Sequence, residues 1–172
     1  MSEELMKNAI EMFRAGNLKG AIAEVEEKLK SNSDNAELHH TYAEFANMLN
    51  MEAQEDVVPG GKIMMHYKKA MEMDEENDEY IADFASFALE CRRIPVAVKE
   101  FQRYAKRLEL ADIPVDEVLY MAARSIVDSI EVMDPEKKNP MVQPWLKQAL
   151  IWSVGGLGYS ADDAIKMMSN DS

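Results

Sequence analysis

The residues whose types could support chemistry are few and widely spaced in this chain. A Gly-Gly-Lys sequence ends the stretch QEDVVPGGK, residues 54–62, and a glycine-lysine pair is the part of a phosphate-binding loop that meets the phosphates. Such a loop also needs a glycine five residues before that pair's glycine and a Ser or Thr after the lysine. Asp56 and Ile63 stand at those positions. Nucleotide binding by the 54–62 loop is therefore the less favoured alternative.

Histidine and cysteine, the other common catalytic and metal-binding residues, form no recognisable motif. The chain has three histidines and one cysteine, Cys91. Two arginines follow Cys91, and their charge would lower the thiol pKa and favour reactivity, but a small apolar side chain near a helix end also packs well. The sequence has no Ser-His-Asp, Cys-His or cysteine-based zinc pattern. We therefore predict a protein that is not an enzyme, with no catalytic residue, no metal site and no cofactor.

Length and charge restrict the fold and the partners. A chain of 172 residues with 47% hydrophobic residues suits one folded domain, residues 1–172, and its 7 glycines and 6 prolines favour helix. The formal charge of −13 argues against nucleic acid and anionic membranes, and favours a basic or amphipathic partner. The start MSEELMKNAI is acidic where a secretory signal is basic. No apolar run reaches the roughly 18 residues of a membrane span, so we predict a cytoplasmic protein.

The apolar pattern predicts helices arranged in pairs. From Leu5 onward apolar residues recur at steps of three and four, which places them on one helix face, and the pattern ends at Gly16. A second such run begins at Ala21 and ends in SNSDN, a cluster of turn formers. These two runs predict a helical hairpin.

The hairpin recurs along the chain with a measurable period. Ala9 and Ala43 are 34 residues apart on first helices, and Ile63 and Ala97 are 34 apart on second helices. One interval on the first helices and one on the second helices are longer, at 42 residues each. Both of these longer intervals contain residues 43–63. A single eight-residue insertion in that stretch explains both, and we interpret it as a lengthened loop between two helices.

A period of 34 residues with two helices per unit resembles the tetratricopeptide repeat (TPR). That family has a small residue on the first helix and, on the second, an alanine followed four residues later by an aromatic, because the helices approach closely at the small residue. Ala85 occupies the first of these positions, and Ala97 and Phe101 occupy the other two.

The resemblance implies an all-α fold, a right-handed α-solenoid of helical hairpins. The TPR-like repeats cover approximately residues 2–35, 36–77 and 78–111, and divergent helices at 112–172 cap the open end of the stack.

Three helices are expected in this C-terminal cap. The first opens near Pro114 and closes before Pro135, the second covers about Pro144 to Val154, and the third is the short segment ADDAIKMM that begins at Ala161.

The resemblance also implies a concave groove, lined by the first helices, for a peptide or a partner helix. A TPR variant that binds the C-terminal carboxylate of chaperones uses basic residues and asparagine on these helices. The corresponding positions in this chain carry no basic residue, which argues against that ligand; they are Met6, Ile10, Thr41, Glu79 and Asp83.

The groove instead combines an apolar end with an acidic strip, which suits a basic or amphipathic peptide or helix. We therefore predict a non-catalytic scaffold or adaptor, with self-assembly through the apolar C-terminal helices as an alternative. The predicted partner-binding residues are Met6, Ile10 and Phe13 at the apolar end, and Glu37, His40, Glu44, Glu79, Asp83 and Ser86 along the strip.

Overall fold

The computed structural model describes residues 2–114, 116–136 and 138–155. These residues form eight α-helices and no β-strand, which confirms the prediction of an all-α fold. The helices are α1 (Ser2–Arg14), α2 (Leu18–Ser31), α3 (Ala36–Ala53), α4 (Gly60–Met73), α5 (Asp78–Glu90), α6 (Ile94–Leu110), α7 (Glu117–Met133) and α8 (Gln143–Gly155).

Two compact units divide the chain, Met1–Tyr80 and Ile81–Ser172. Helix α5 begins in the first unit and continues into the second. The expected single domain and the expected repeat boundaries stay predictions.

In the first unit, asparagine side chains and a glycine set the turns between helices. Gly16 adopts φ +75°, a left-handed conformation that costs glycine little and ends α1. Asn17 then caps α2, because its side-chain oxygen accepts a hydrogen bond from the Gly20 N–H at 2.9 Å. Asn35 caps α3 in the same way through the Leu38 N–H, also at 2.9 Å. Helices that follow each other in sequence, α1 to α4, pack as neighbours.

The small residues that define the predicted repeat lie where helices meet. Ala21, Ala43 and Ala70 have no exposed surface, and neither has Ile63. The alanine side chains are small enough to let helix backbones approach closely, as ridge-and-groove packing requires. The positions that define the 34-residue pattern are therefore core positions of this unit.

The eight-residue insertion is divided between a helix and a loop, and the prediction that it only lengthens a loop is wrong. Helix α3 has 18 residues where α1 and α5 have 13. The connection after α3 has six residues, 54–59, where those after α1 and α5 have three. Five inserted residues thus extend the helix and three extend the loop. The stretch MLNMEA at the end of α3 contains good helix formers, which explains why the helix continues.

The second unit is built from helices whose ends the sequence marks clearly. Pro95 lies in the first turn of α6, where its missing N–H costs nothing. Asp116 caps α7 by accepting the Leu119 N–H at 3.1 Å, so α7 begins at Glu117 and not at the predicted Pro114. It ends at Met133, before Pro135, as predicted.

The core of the second unit lies among α6, α7 and α8. Phe101 and Trp152 meet edge to face, with ring centroids 6.1 Å apart, which joins α6 to α8. Leu119, Ile126 and Ile130 of α7 have no exposed surface. Helix α8 lies close to its predicted position, and the predicted helix that begins at Ala161 lies outside the described residues.

Candidate functional site

The Gly-Gly-Lys sequence lies in the first turn of α4, and its lysine is held by the protein itself. Lys62 Nζ is 2.5 Å from Glu26 Oε1 on α2 and 5.1 Å from the centroid of the Tyr42 ring. The hydrogen bond from Lys62 lowers the pKa of Glu26, and the hydrogen bond to Glu26 raises the pKa of Lys62. The Lys62 ammonium group therefore links three helices of the first unit, and its charge is paired with an acidic side chain.

The loop that precedes α4 is fixed on α3 by a single amide side chain. The Asn50 Nδ2 donates to the Val58 carbonyl at 2.7 Å, and the Val58 N–H donates to Asn50 Oδ1 at 2.9 Å. Gln54 ends α3 in a left-handed conformation, φ 54°. Residues 54–59 are therefore an anchored connection, and the nucleotide-binding alternative stays an untested and less favoured prediction.

The predicted apolar end of the binding groove is partly covered in the first unit. Met6 is buried, and its sulfur accepts a hydrogen bond from the Thr41 hydroxyl at 3.2 Å. Ile10 and Phe13 are half-buried, and the Phe13 ring stacks on Phe45 with centroids 4.9 Å apart. Ile10 and Phe13 keep surface that a partner can touch, whereas Met6 contributes to the core.

The predicted acidic strip contains one buried histidine. His40 packs against the rings of Tyr67 and Tyr80, with centroids 5.7 and 4.5 Å away, and its Nδ1 is 3.5 Å from the Glu44 carboxylate. Glu37 and Glu44 are half-buried, and Glu79 is exposed. The first unit thus presents these three acids, while His40 belongs to the packed interior; the role of these residues in binding stays a prediction.

Asp83 and Ser86, the two remaining predicted residues, lie half-buried on the part of α5 that belongs to the second unit. Ser86 lines a groove of about 660 Å³, which we call the α5–α7 groove. Its lining residues come from α5, the turn after it, α6 and α7; they are Ser86, Leu89, Glu90, Arg92, Phe101, Glu117, Val118, Met121, Ala122, Ser125, Asp128, Ser129 and Val132.

Helix α7 has two apolar faces, and the groove uses the outer one. One face is packed in the core of the second unit. On the other, Val118, Met121 and Val132 are 37%, 53% and 67% exposed. Their spacing keeps them on one side of the helix over about 21 Å, since an α-helix rises 1.5 Å per residue. We call these three side chains the apolar stripe of α7, although Ser125 and Ser129 also line the groove between Met121 and Val132. Exposed apolar side chains that line a groove are typical of a docking surface.

Acidic side chains predominate among the charged residues of the α5–α7 groove. Glu90, Glu117 and Asp128 are exposed there, together with one base, Arg92. The low dielectric of an apolar groove strengthens the attraction between these carboxylates and a basic ligand. The groove can therefore hold a segment that is apolar on one side and basic at its margins.

Of the residues that line the α5–α7 groove, only Ser86 was predicted from the sequence to bind a partner, and it was assigned there to the concave TPR-like groove. No residue of α7 was predicted to bind a partner. The signal was present, because Val118, Met121, Ser125 and Val132 recur at steps of three, four and seven residues. A helix with apolar residues on two sides looks like a buried helix when only the sequence is known. The distinction depends on which face the neighbouring helices cover.

No protein-family model matches the chain, and a comparison with curated proteins finds no match. The relationship to the TPR family stays a prediction. Among the described residues, no helix combines the length and the apolar character that crossing a membrane requires.

Proposed function

We propose that the protein is a non-catalytic interaction module, a scaffold or adaptor, that holds a basic amphipathic helix or peptide of a partner protein in the α5–α7 groove. The exposed apolar stripe on α7, bordered by Glu117 and Asp128, is the observation that supports this most directly. Helical hairpins stacked in a right-handed TPR-like solenoid are the arrangement we propose for the chain. The 34-residue period and the alanines at helix contacts support it.

Burial of the stripe supplies the affinity in this proposal. Full burial of a Val or Met side chain is worth about 1.5–3 kcal/mol, and three such side chains line one side of the groove. Much of that free energy offsets the loss of motion on association. We therefore expect affinity in the micromolar range, with the charges deciding which segments bind.

A matched pair of α7 variants tests the proposal. Met121 lines the groove and is 53% exposed, whereas Met133 is 49% exposed on the same helix and is not among the residues that line the groove. Met121→Gln and Met133→Gln remove the same apolar surface at similar exposure, so both variants keep the fold. Affinity capture from a native lysate, followed by mass spectrometry, compares each with the wild type.

Basic proteins retained by the wild type and Met133→Gln but lost by Met121→Gln support the proposal. Retention that is equal in all three contradicts it, because the groove then does not hold the partner. Binding of a synthetic Leu/Lys amphipathic helix, measured by fluorescence anisotropy on the same three proteins, gives a second readout that does not depend on the lysate.

A further inference from the structure

Two buried histidines of the first unit form a direct hydrogen bond. His39 lies on α3 and His66 on α4, both are buried, and their Nδ1 atoms are 2.8 Å apart. On the other side of its ring, His39 Nε2 is 3.0 Å from the Ser33 carbonyl oxygen in the turn between α2 and α3. This chain of contacts joins α4, α3 and that turn through one pair of side chains.

The chemistry of the partners decides where the protons are. A carbonyl oxygen only accepts hydrogen bonds, so His39 Nε2 carries a proton and donates it to Ser33. A neutral His39 then has a lone pair on Nδ1, and the bond between the rings requires the proton on His66 Nδ1. The two neutral rings therefore have a single arrangement that satisfies all three contacts.

The same geometry limits how many further protons the pair can hold. A first added proton can occupy His66 Nε2 without disturbing the bond between the rings. A second must go to His39 Nδ1, which then points its N–H at the N–H of His66 across 2.8 Å. Two donors and two positive charges at that distance repel each other, so the doubly protonated pair cannot keep this structure.

We propose that the His39–His66 pair is an acid-sensitive latch, which ties α4 and the turn before α3 to α3 while both rings are neutral and releases them when both are protonated. The latch lies within the first unit and is independent of the proposed binding by the α5–α7 groove.

The charged groups around the pair favour the neutral form. Burial is the main cause that lowers the pKa of both histidines, and together with the smaller effects of His39 and of Lys69 on α4 it places the pKa of His66 at about 4. Lys69 also lowers the pKa of His39, whereas the hydrogen bond to the Ser33 carbonyl raises it. Lys62, also on α4, acts on His66 in the same direction, whereas Glu26 on α2 opposes it. Glu26 is itself paired with Lys62, which weakens its effect. On α3, the Tyr42 ring covers His66 with centroids 4.1 Å apart.

The direction of the pH dependence follows from these shifts. The unfolded chain takes up protons on histidine below a pKa of about 6.5, but folded His66 does so only near pH 4. The stabilisation is therefore complete above pH 6.5 and is lost as the pH falls toward 4. For His66 alone, the unfolding equilibrium constant should increase about twentyfold between pH 7 and pH 5.

The test compares urea unfolding from pH 7 to pH 4.5 for three proteins. The double variant His39→Gln/His66→Gln replaces the pair by side chains that do not titrate. His40→Gln is the control, since His40 is also buried on α3 and packs against the rings of Tyr67 and Tyr80. We expect the unfolding equilibrium constant of the wild type and of His40→Gln to rise steeply on acidification. The rise for the double variant should be at least tenfold smaller. Equal rises in all three would overturn the latch.

Proton placement in the wild type provides a second measurement that does not require the variant to fold. Long-range ¹H–¹⁵N spectra of the imidazole rings should show the proton on Nδ1 of His66 and on Nε2 of His39 at pH 7, with the His66 ring still neutral at pH 6. Hydrogen exchange should then accelerate in residues 32–42 and 60–73 as the rings titrate. Titration of His66 near pH 6.5 contradicts the proposal, and so do exchange rates in these segments that do not change as the rings titrate.

Discussion

Single amide side chains hold much of the first unit together. Asn17 and Asn35 cap helices, and Asn50 fixes the loop after α3 through both of its polar atoms. Asparagine suits these places because one short side chain offers a donor and an acceptor to nearby backbone. Residues that the sequence presents as ordinary turn formers therefore determine where the helices begin and how the inserted loop lies.

Replacement of Asn50 should show how much this anchor contributes. Asn50→Ala removes both bonds to Val58, and we expect the free energy of unfolding to fall by about 1–2 kcal/mol in urea titrations. Asn50→Asp keeps the acceptor for the Val58 N–H but puts a carboxylate oxygen where the donor to the Val58 carbonyl was, and because two acceptors repel, its loss should be at least as large. Wild-type stability in both variants would mean that the loop does not depend on this contact.

Lys62 offers a residue-scale test of the nucleotide alternative. Its partner Glu26 and Lys62 itself have side chains that are 45% and 41% exposed, so Lys62→Met should cost less than about 1 kcal/mol of stability. A nucleoside triphosphate at a hundred times its Kd would stabilise a binding protein by about 2.7 kcal/mol. We expect millimolar nucleotide to leave the Tm of wild type and variant unchanged. A rise in the wild type that Lys62→Met abolishes would revive the alternative.

At the scale of elements, local signals in the sequence located the helices well. Gly16, Asn17 and Pro135 mark helix ends through backbone preferences that act over a few residues. The extension of α3 was missed because the period counts residues and does not say whether inserted ones continue the helix. The outer face of α7 was missed because burial depends on neighbours that are far away in sequence.

Charge reversal on α7 should separate the electrostatic contribution to partner binding from the contribution of apolar packing. Glu117→Lys/Asp128→Lys places positive charge on the margin of the α5–α7 groove, and we expect the affinity for a Leu/Lys helix to fall at least tenfold, mainly through slower association. Glu131→Lys is the control, since Glu131 is exposed on the same helix and is not among the lining residues. Stopped-flow kinetics at low salt measures the difference. Similar rates for both variants would place the acidic contact elsewhere.

For the whole molecule, the net charge of −13 should make partner binding depend on salt. The Debye length falls from about 10 Å at 0.1 M to about 3 Å at 1 M ionic strength. We therefore expect association with a basic helix to slow steeply over this range, while dissociation, which reflects the apolar contact, changes little. Surface plasmon resonance at a series of salt concentrations measures both rates. Association that is independent of salt would remove the electrostatic part of the proposal.

The thioether of Met121 adds a dependence on oxidation. Met121 lies in the α5–α7 groove with half of its surface exposed, and oxidation converts such a side chain into a polar sulfoxide, which sulfoxide reductases can reverse. A docking surface centred on this residue would lose its apolar character under peroxide stress and regain it on repair. The partner's occupancy of the groove would then report the oxidation state of its surroundings.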